Sequence, residues 1–466
     1  MIVPFGLLLG SIALAPIFCQ DWWLKHYSKV ALSLGAVTFC YYLFGLRAYA
    51  RLLYTAHEYV SFIAIIGSLF VVAGGIHINV KGQATPRVNV LFLLIGAVIA
   101  NVLGTTGASM LLIRPWIRMN KYRVTSHHIV FFILIVSNVG GCLTPIGDPP
   151  LFLGYLYGIP FWWVAEHCYP MWAVGIGLLL GMFYVVDELN FRRAPRAVRE
   201  METAHEEWHF EGLTNLFFLA VILWAVFLNE PMFLREGLMI AAAVGSYFTT
   251  RKRVHEANQF NFHPIQEVAI LFIGIFATML PALDWLKDNA GTLLGQNPPS
   301  GVFYWGCGLL SSMLDNAPTY LSFLSAAMGS FVNHDVVLQV QHLIHTGGAD
   351  LATLTGPDAE HIRATFEALQ KYHGATLTSA TISEEEIGVC YLLGNFMFNK
   401  YLVAISIAAV FFGANTYIGN GPNFMVKSIA THQKVPTPSF LAYLFRYTLP
   451  FLIPMELVIW LLFFRS

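Results

Sequence analysis

One stretch of the chain, Asn138–Phe152, most restricts what the sequence can fold into. It reads NVGGCLTPIGDPPLF and follows the apolar run Ile129–Val136, yet it contains three glycines, three prolines and an aspartate. A continuous helix cannot run through it, because the prolines remove backbone donors and the glycines loosen the backbone. Irregular backbone persists at membrane depth only against protein or a water-filled cavity. The sequence therefore predicts a helix that is broken inside a membrane.

The same pattern recurs in the second half of the chain, where Asn415–Phe424 reads NTYIGNGPNF. The alignment of the two stretches pairs Thr416 with Thr144, Gly419 with Gly147, Asn420 with Asp148 and Pro422 with Pro150. Broken helices at matching positions of two halves are the best sequence indication of a transporter's binding site. The two stretches therefore predict a site built from repeat-related breaks.

The composition supports a membrane-embedded chain. Of its residues, 56% are hydrophobic and 11% are charged, with a mean hydropathy of +0.61, whereas about a quarter of a soluble domain is charged. The net charge of -1 argues against nucleic acid as a partner. We expect an all-α polytopic membrane protein that contacts the lipid bilayer, located as a multi-pass protein in the plasma (bacterial inner) membrane.

A second internal match predicts two re-entrant hairpins. Val102–Leu111 (VLGTTGASML) aligns with Met313–Ser322 (MLDNAPTYLS). Basic residues surround the first of these, which predicts cytoplasmic flanks for it: Lys81, Arg87, Arg114, Arg118, Lys121 and Arg123. The flanks of the second are poor in Lys and Arg, which predicts that it enters from the other face. Each half would then hold one re-entrant hairpin and one broken transmembrane helix, as inverted structural repeats.

The domain organisation follows from these matches. Residues 1–187 form the first transmembrane repeat, 188–212 an exposed cytoplasmic linker that is helical in part, and 213–466 the second repeat. The second repeat carries a polar insertion, 333–386, predicted to be extracytoplasmic. Arg47 and Arg51 fall on the predicted external side, against the usual bias of basic residues.

The functional prediction, an ion-binding site, rests on the few acidic residues within this apolar sequence. Asp148 and Asp315 lie at the breaks, and Glu58 and Glu267 lie nearer helix ends. A carboxylate at bilayer depth costs about 2.5–3.5 kcal/mol, so a proton, a bound cation or a helix N-terminus must offset it. We predict that Asp148 and Asp315 bind Na⁺ in competition with H⁺, with no tightly bound cofactor. Alternatively, Asp148 only caps the half-helix that begins at Pro149.

Neutral oxygen donors cluster at the same breaks. They can complete a cation shell or bind an anion, or they can serve only as caps and packing groups. The remaining candidate ion- or substrate-binding residues are Thr105, Thr106, Ser109, Asn138, Thr144, Gly147, Asn316, Thr319, Thr416, Asn420 and Asn423. The histidines, including His127 and His128, form no clear set of metal ligands in the sequence.

These motifs resemble the ion-transporter superfamily of secondary carriers. It includes citrate and dicarboxylate carriers, the membrane subunits of arsenite pumps and the D-type sodium/proton antiporters. The resemblance rests on GGCLTPIGDPP at 140–150 and on the tip sequences GTT at 104–106 and DNAPT at 315–319. It implies that hairpin tips and broken-helix loops form the substrate and Na⁺ sites, and that the protein is a homodimer.

The tip sequences favour one function within this superfamily. Carboxylate carriers have Ser-Asn-Thr at both tips, whereas this chain has GTTG and DNAPT. Because acidic residues bind cations and repel carboxylates, we predict a secondary active sodium/proton antiporter that works by alternating access. A sodium-coupled citrate or dicarboxylate carrier is the alternative, followed by an oxyanion carrier. Two occluding hairpins argue against a channel, and no catalytic pattern indicates an enzyme.

Overall fold

The computed structural model describes residues 1–79, 85–193, 209–228, 231, 233–295, 298–346, 351, 354–379 and 382–465. Helices make up nearly all of its regular structure. Those before residue 212 are α1 (Val3–Phe18), α2 (Gln20–Cys40), α3 (Tyr49–Gly74), α4 (Pro86–Met119), α5 (Ser126–Ile135), α6 (Pro149–Leu156) and α7 (Phe161–Arg193). Two short strands, β1 (His77–Asn79) and β2 (His209–Glu211), pair in antiparallel fashion with His77 opposite Glu211.

The second half is built in the same way. Its helices are α8 (Asn215–Ala225), α9 (Leu234–Thr249), α10 (Lys252–Ala257), α11 (His263–Leu294), α12 (Ser300–Met313), α13 (Asn316–Phe331), α14 (His334–His345), α15 (Ala359–Ser379), α16 (Glu384–Gly394), α17 (Phe396–Phe412), α18 (Gly421–His432), α19 (Phe440–Tyr443) and α20 (Ile453–Phe463). A π-helical segment, Leu444–Leu452, joins α19 to α20.

The helices have the length and surface of a membrane protein. In the described part of the chain, seven helical stretches, α4 among them, have the length and apolar composition to cross a bilayer, or eight if α13 and α14, which meet at 92°, count as one span. Large apolar side chains such as Leu91, Phe217 and Phe248 lie exposed on helix surfaces, as lipid contact requires. The chain is therefore an all-α polytopic membrane protein, as predicted.

Helix α4 is not a straight span but a helical hairpin, called hairpin 1. Asn89 and Asn120, which lie 31 positions apart, exchange side-chain hydrogen bonds of 2.9 and 3.2 Å. A straight helix would separate them by about 47 Å. The chain reverses at Gly104, whose φ of 71° and ψ of 157° suit glycine, and Gly96 packs against Leu112 of the opposite arm. The predicted turn at the GTTG sequence is therefore present.

Helices α12 and α13 form the corresponding hairpin 2. Leu314 and Asp315 connect the two helices. The ring of Phe303 on α12 lies 6.3 Å from that of Phe323 and 5.9 Å from that of Phe331, both on α13. The arms therefore pack side by side, with Asp315 at the tip.

Both predicted broken helices are also present. Broken helix 1 consists of α5, a 3₁₀ turn at Val139–Gly141, an irregular loop and α6, and broken helix 2 consists of α17, a 3₁₀ turn at Gly413–Asn415, a loop and α18. In the first loop the backbone crosses itself closely. A Cβ atom at Gly147 would lie 2.0 Å from the carbonyl oxygen of Gly141, so only glycine fits there.

The described ends of the predicted linker 188–212 have regular structure. Helix α7 continues to Arg193, and β2 is paired with β1. Arg192, Arg193 and His209 are nevertheless exposed. Asp187, directly before the linker, is fully buried. Residues 194–208, and Lys81 in the flank of hairpin 1, lie outside the described residues.

Arg51, which falls on the predicted external side against the usual cytoplasmic excess of Lys and Arg, is held there by two carboxylates. Its guanidinium lies 3.1 Å from Asp284 and 3.0 Å from Glu385. Glu385 also pairs with Lys287 at 3.2 Å. Because its charge is matched by two carboxylates, Arg51 carries little weight as a topological signal. The same contacts attach α16, which begins inside the insertion 333–386, to α3 and α11.

Candidate functional site

Asp148 lies where hairpins and broken helices from both halves converge. It precedes α6 and is 1% exposed. Its Oδ1 accepts hydrogen bonds from Thr105 Oγ1 at 2.6 Å and from Asn420 Nδ2 at 2.9 Å, and its Oδ2 accepts one from Asn316 Nδ2 at 2.6 Å. Hairpin 1, hairpin 2 and broken helix 2 therefore all bind a carboxylate supplied by broken helix 1. Its side chain makes no capping bond to α6, so the capping alternative is not what the structure contains.

Each hairpin tip is also attached to the broken helix of its own half by an equivalent backbone bond. The amide of Thr105 donates to the carbonyl oxygen of Gly147 at 2.8 Å, and the amide of Asn316 donates to that of Gly419 at 3.2 Å. These are the positions that the internal alignments pair. The contacts therefore repeat with the sequence.

Thr144 and Thr416 form a second repeated contact. Thr144 Oγ1 donates to the carbonyl oxygen of Asn101 in hairpin 1, and Thr416 Oγ1 donates to that of Ser312 in hairpin 2, both at 2.6 Å. The two hydroxyls face hairpin backbone instead of Asp148. They position the loops that carry the site.

Asn138 connects the two broken helices behind Asp148. Its Nδ2 donates to Asn423 Oδ1 at 2.6 Å, and its Oδ1 accepts from Asn420 Nδ2 at 3.2 Å. Asn423 in turn donates to the carbonyl oxygens of Gly413 and Thr416 at 2.8 and 2.9 Å. These amides fix Asn420 beside the carboxylate.

Other predicted hydroxyl and carboxyl groups bond to groups other than Asp148 in the part of the chain that the structure describes. Ser109 shares a hydrogen bond of 2.7 Å with Ser137. Thr319 Oγ1 donates to the carbonyl oxygen of Asp315 at 2.9 Å, and Asp315 Oδ1 accepts from the amide of Ala317 at 3.0 Å. Asp315 thus caps α13, the role considered for Asp148.

A small cavity of about 20 Å³ adjoins Asp148 at the tip of hairpin 1. It is bounded by Ile65, Ile66, Leu69, Leu103, Gly104, Thr105, Thr106, Gly107, Pro145, Ile146, Gly147, Asp148, Pro149 and Phe152. A water molecule needs about 10–15 Å³ of such space. The cavity therefore suits a water or a small ion, and citrate is far larger.

The donor set around Asp148 fits a cation. Within the described residues, no Lys, Arg or His pairs with its carboxylate. Asn316 Oδ1, on the amide that donates to Asp148, is buried and has no hydrogen-bond partner. A buried acceptor of this kind needs a donor or a cation. The Asp148 carboxylate and Asn316 Oδ1 can supply two oxygen ligands to Na⁺, or a base and an acceptor to a proton.

Two buried charged residues were not predicted as part of any site. Arg114, on the second arm of hairpin 1, is 7% exposed, and its Nε and Nη1 have no partner. It lies nine residues beyond Thr105, about 14 Å along the helix, and its place in the sequence indicates only a flanking charge. Glu456 on α20 is fully buried and is absent from the predicted acidic set, although a Glu inside an apolar helix is itself a signal.

A buried polar cluster at the base of hairpin 1 brings two of the histidines together with Asp187. Nε2 of His128 and of His127 lie 3.0 and 3.4 Å from Asp187 Oδ1, and these three residues are close enough to hold a metal ion. However, the guanidinium of Arg123 already pairs with Asp187. Asn89 Nδ2 donates to its other oxygen at 2.8 Å. The cluster therefore anchors hairpin 1, with Arg123 as the cation.

One family model matches almost the whole chain. It is described as "Putative citrate transport" and covers residues 1–464. No curated protein matches the chain.

Proposed function

This chain belongs to the family described as "Putative citrate transport", within the ion-transporter superfamily of citrate and dicarboxylate carriers, and we propose from this premise that it is a sodium/proton antiporter. It is a multi-pass membrane transporter. The proposed cargo ions are Na⁺ and H⁺, the mechanism is alternating access, and the proposed setting is a homodimer in a bacterial inner membrane.

The hydrogen bond between Asn316 and Asp148 is the main support for this proposal. A carboxylate that accepts three hydrogen bonds is satisfied in its ionised form. A proton or Na⁺ on Asp148 Oδ2 would displace the N–H of Asn316. The unpaired Oδ1 of Asn316 would then bind that proton or Na⁺. Occupancy of Asp148 would thus change how hairpin 2 is held. This links ion binding to the movement of a hairpin, which alternating access requires.

The size of the adjoining space supports an ion as the cargo. The cavity of about 20 Å³ holds an ion or a water. The absence of a basic partner for Asp148 in the described residues also disfavours a carboxylate substrate at this point. Asp315 remains a proposed second Na⁺ ligand, in addition to its capping bond.

A sodium-coupled citrate or dicarboxylate carrier is the second candidate, favoured by Arg114 and by the family description. A buried guanidinium with unpaired Nε and Nη1 is a natural receptor for a carboxylate, which accepts two parallel hydrogen bonds from it. In this alternative the substrate would bind below the tip of hairpin 1 and Na⁺ would bind at Asp148.

The test is dissipation of a pH gradient in proteoliposomes on addition of Na⁺. We expect Na⁺-driven proton movement without added carboxylate, abolished by Asp148→Asn and unchanged by Asp21→Asn, which alters an exposed carboxylate of α2. A response that requires citrate or succinate would overturn the antiporter and support the carrier. No response to any of them would overturn both.

A further inference from the structure

Glu456 occupies a junction of three elements in the second half of the chain. It lies on α20 and is fully buried. Its Oε1 accepts a hydrogen bond of 2.9 Å from Nδ2 of Asn415, the last residue of the 3₁₀ turn in broken helix 2. The same Nδ2 donates to Ser312 Oγ of hairpin 2 at 3.0 Å. The carboxyl group is therefore linked through one amide to both moving parts of its half.

Two acceptor atoms in this junction have no donor. Glu456 Oε2 and Asn415 Oδ1 are buried and without a hydrogen-bond partner. In the described residues Glu456 makes no ion pair, and the titratable group in contact with it is Tyr304 of α12, whose hydroxyl donates to the Glu456 backbone carbonyl at 2.9 Å. An ionised carboxylate here would be an uncompensated buried charge, which costs several kcal/mol.

The equivalent junction of the first half has no such deficit. Asn101 of hairpin 1 aligns with Ser312. Its Nδ2 donates to the carbonyl oxygens of Ala97 and Gly140 at 3.0 and 2.7 Å, and its Oδ1 accepts from the amide of Leu143 at 2.8 Å. Every polar atom of that side chain is paired without a carboxyl group. The unpaired acceptors are thus particular to the second junction.

We propose that Glu456 binds a transported proton, and that the Glu456–Asn415 pair is a second proton site of the transporter. A carboxylic acid offers one donor and one acceptor, which complement the acceptor and donor of a primary amide. One proton on Oε2 therefore supplies the donor that Asn415 Oδ1 lacks. Na⁺ would need a larger oxygen shell than these two atoms.

The contacts of Asn415 also provide a route for release. Its side chain depends on Ser312 of hairpin 2, and its backbone carbonyl accepts from Thr448 Oγ1 at 2.7 Å. When hairpin 2 moves away and water enters, Oε2 gives its proton to water and Glu456 becomes a hydrated carboxylate. This inference rests on the proposed proton-coupled transport, and it adds a second proton to that of Asp148.

Infrared spectroscopy of the protein in lipid vesicles tests the site without relying on transport. A protonated carboxylic acid has a carbonyl stretching band that a carboxylate lacks. We expect such a band in the wild-type protein, decreasing as the pH is raised, and lost in Glu456→Gln. A Gln amide can accept the bond from Asn415 Nδ2 and donate an N–H to Asn415 Oδ1, as the protonated Glu would. Folding should therefore be preserved. Glu166→Gln, at an exposed position of α7, is the matched control, and Asp148→Asn identifies any band from Asp148.

Transport then decides whether the proton is carried. We expect Glu456→Gln to lower the number of protons exchanged per Na⁺, read from reversal potentials. A carbonyl stretching band that changes neither with pH nor in Glu456→Gln would overturn the proton site. An unchanged number of protons exchanged per Na⁺ would overturn the proposal that Glu456 carries a transported proton. If wild-type protein shows no Na⁺-driven proton movement, the proposed function fails, while the infrared result still decides whether Glu456 holds a titrating proton.

Discussion

Asn316 Nδ2 lies 2.6 Å from Asp148 Oδ2, although the two residues are 168 positions apart and belong to different halves of the chain. The bond joins the tip of hairpin 2 to the loop of broken helix 1. A buried carboxylate is thus bound by groups from both halves of the chain. Any movement that separates the halves must break this bond.

Replacing Asn316 by Ala should weaken the site without removing the carboxylate. Ala removes Oδ1, the proposed amide ligand of the bound ion, together with the N–H group that the ion would displace. A weakening of ion binding by about 1.4 kcal/mol corresponds to about tenfold in affinity. We expect a loss of this order in apparent Na⁺ affinity in proteoliposome exchange. Ser322→Ala, which removes an intrahelical bond to Pro318 on the same arm, is the control. Equal effects of the two substitutions would contradict the role of Asn316.

Asp315→Asn separates charge from capping. Asn caps helices about as well as Asp, so the bond from the Ala317 amide is retained while the charge is removed. Because Asp315 is the proposed second Na⁺ ligand, we expect Na⁺-driven proton movement to require more Na⁺ in this variant and to vanish in Asp148→Asn. An unchanged dependence on Na⁺ in Asp315→Asn, with a normal unfolding temperature, would limit Asp315 to its capping bond.

Gly104→Ala should destabilise the turn of hairpin 1. The backbone there has φ 71° and ψ 157°, a region that costs other residues about 1–3 kcal/mol. The new Cβ would also lie 3.1 Å from the carbonyl oxygen of Ile146. We expect a lower unfolding temperature in detergent. Gly177→Ala, in the open on α7, should leave the unfolding temperature unchanged or raise it, because Ala favours a helix by up to about 1 kcal/mol.

Arg114→Met distinguishes the two candidate functions. The substitution keeps an unbranched apolar side chain and removes an unpaired buried charge, so thermal stability should increase. If the protein is an antiporter, Na⁺-driven proton movement should survive. If it is a carboxylate carrier, citrate uptake should be lost while Arg87→Met, at an exposed position, retains it. A stabilised protein that has lost antiport would contradict the assignment of Arg114 to an anion.

The broken helices and hairpins were predictable because Gly and Pro interrupt apolar runs at matching positions. What the sequence could not supply was distance. Asp148 and Asp315 look equivalent as acids at breaks, yet one is bound across the repeats and the other caps its own helix. In the sequence Arg114 resembles a flanking charge on the cytoplasmic side, but in the folded hairpin 1 it is buried. Glu456 belongs to no sequence motif.

The base of hairpin 1 determines how small a tilt of the hairpin is enough to break its contacts with Asp148. There Asn89 bonds to both Asn120 and Asp187, while the far end is held by the contacts of Thr105. Hairpin 1 is thus a lever with its fulcrum at the base and an arm of about 24 Å. Tilting this lever by about 10° displaces its far end by about 4 Å, which exceeds the reach of any hydrogen bond at Asp148. A rigid tilt that unwinds no helical turn would therefore break the contacts between Asp148 and hairpin 1.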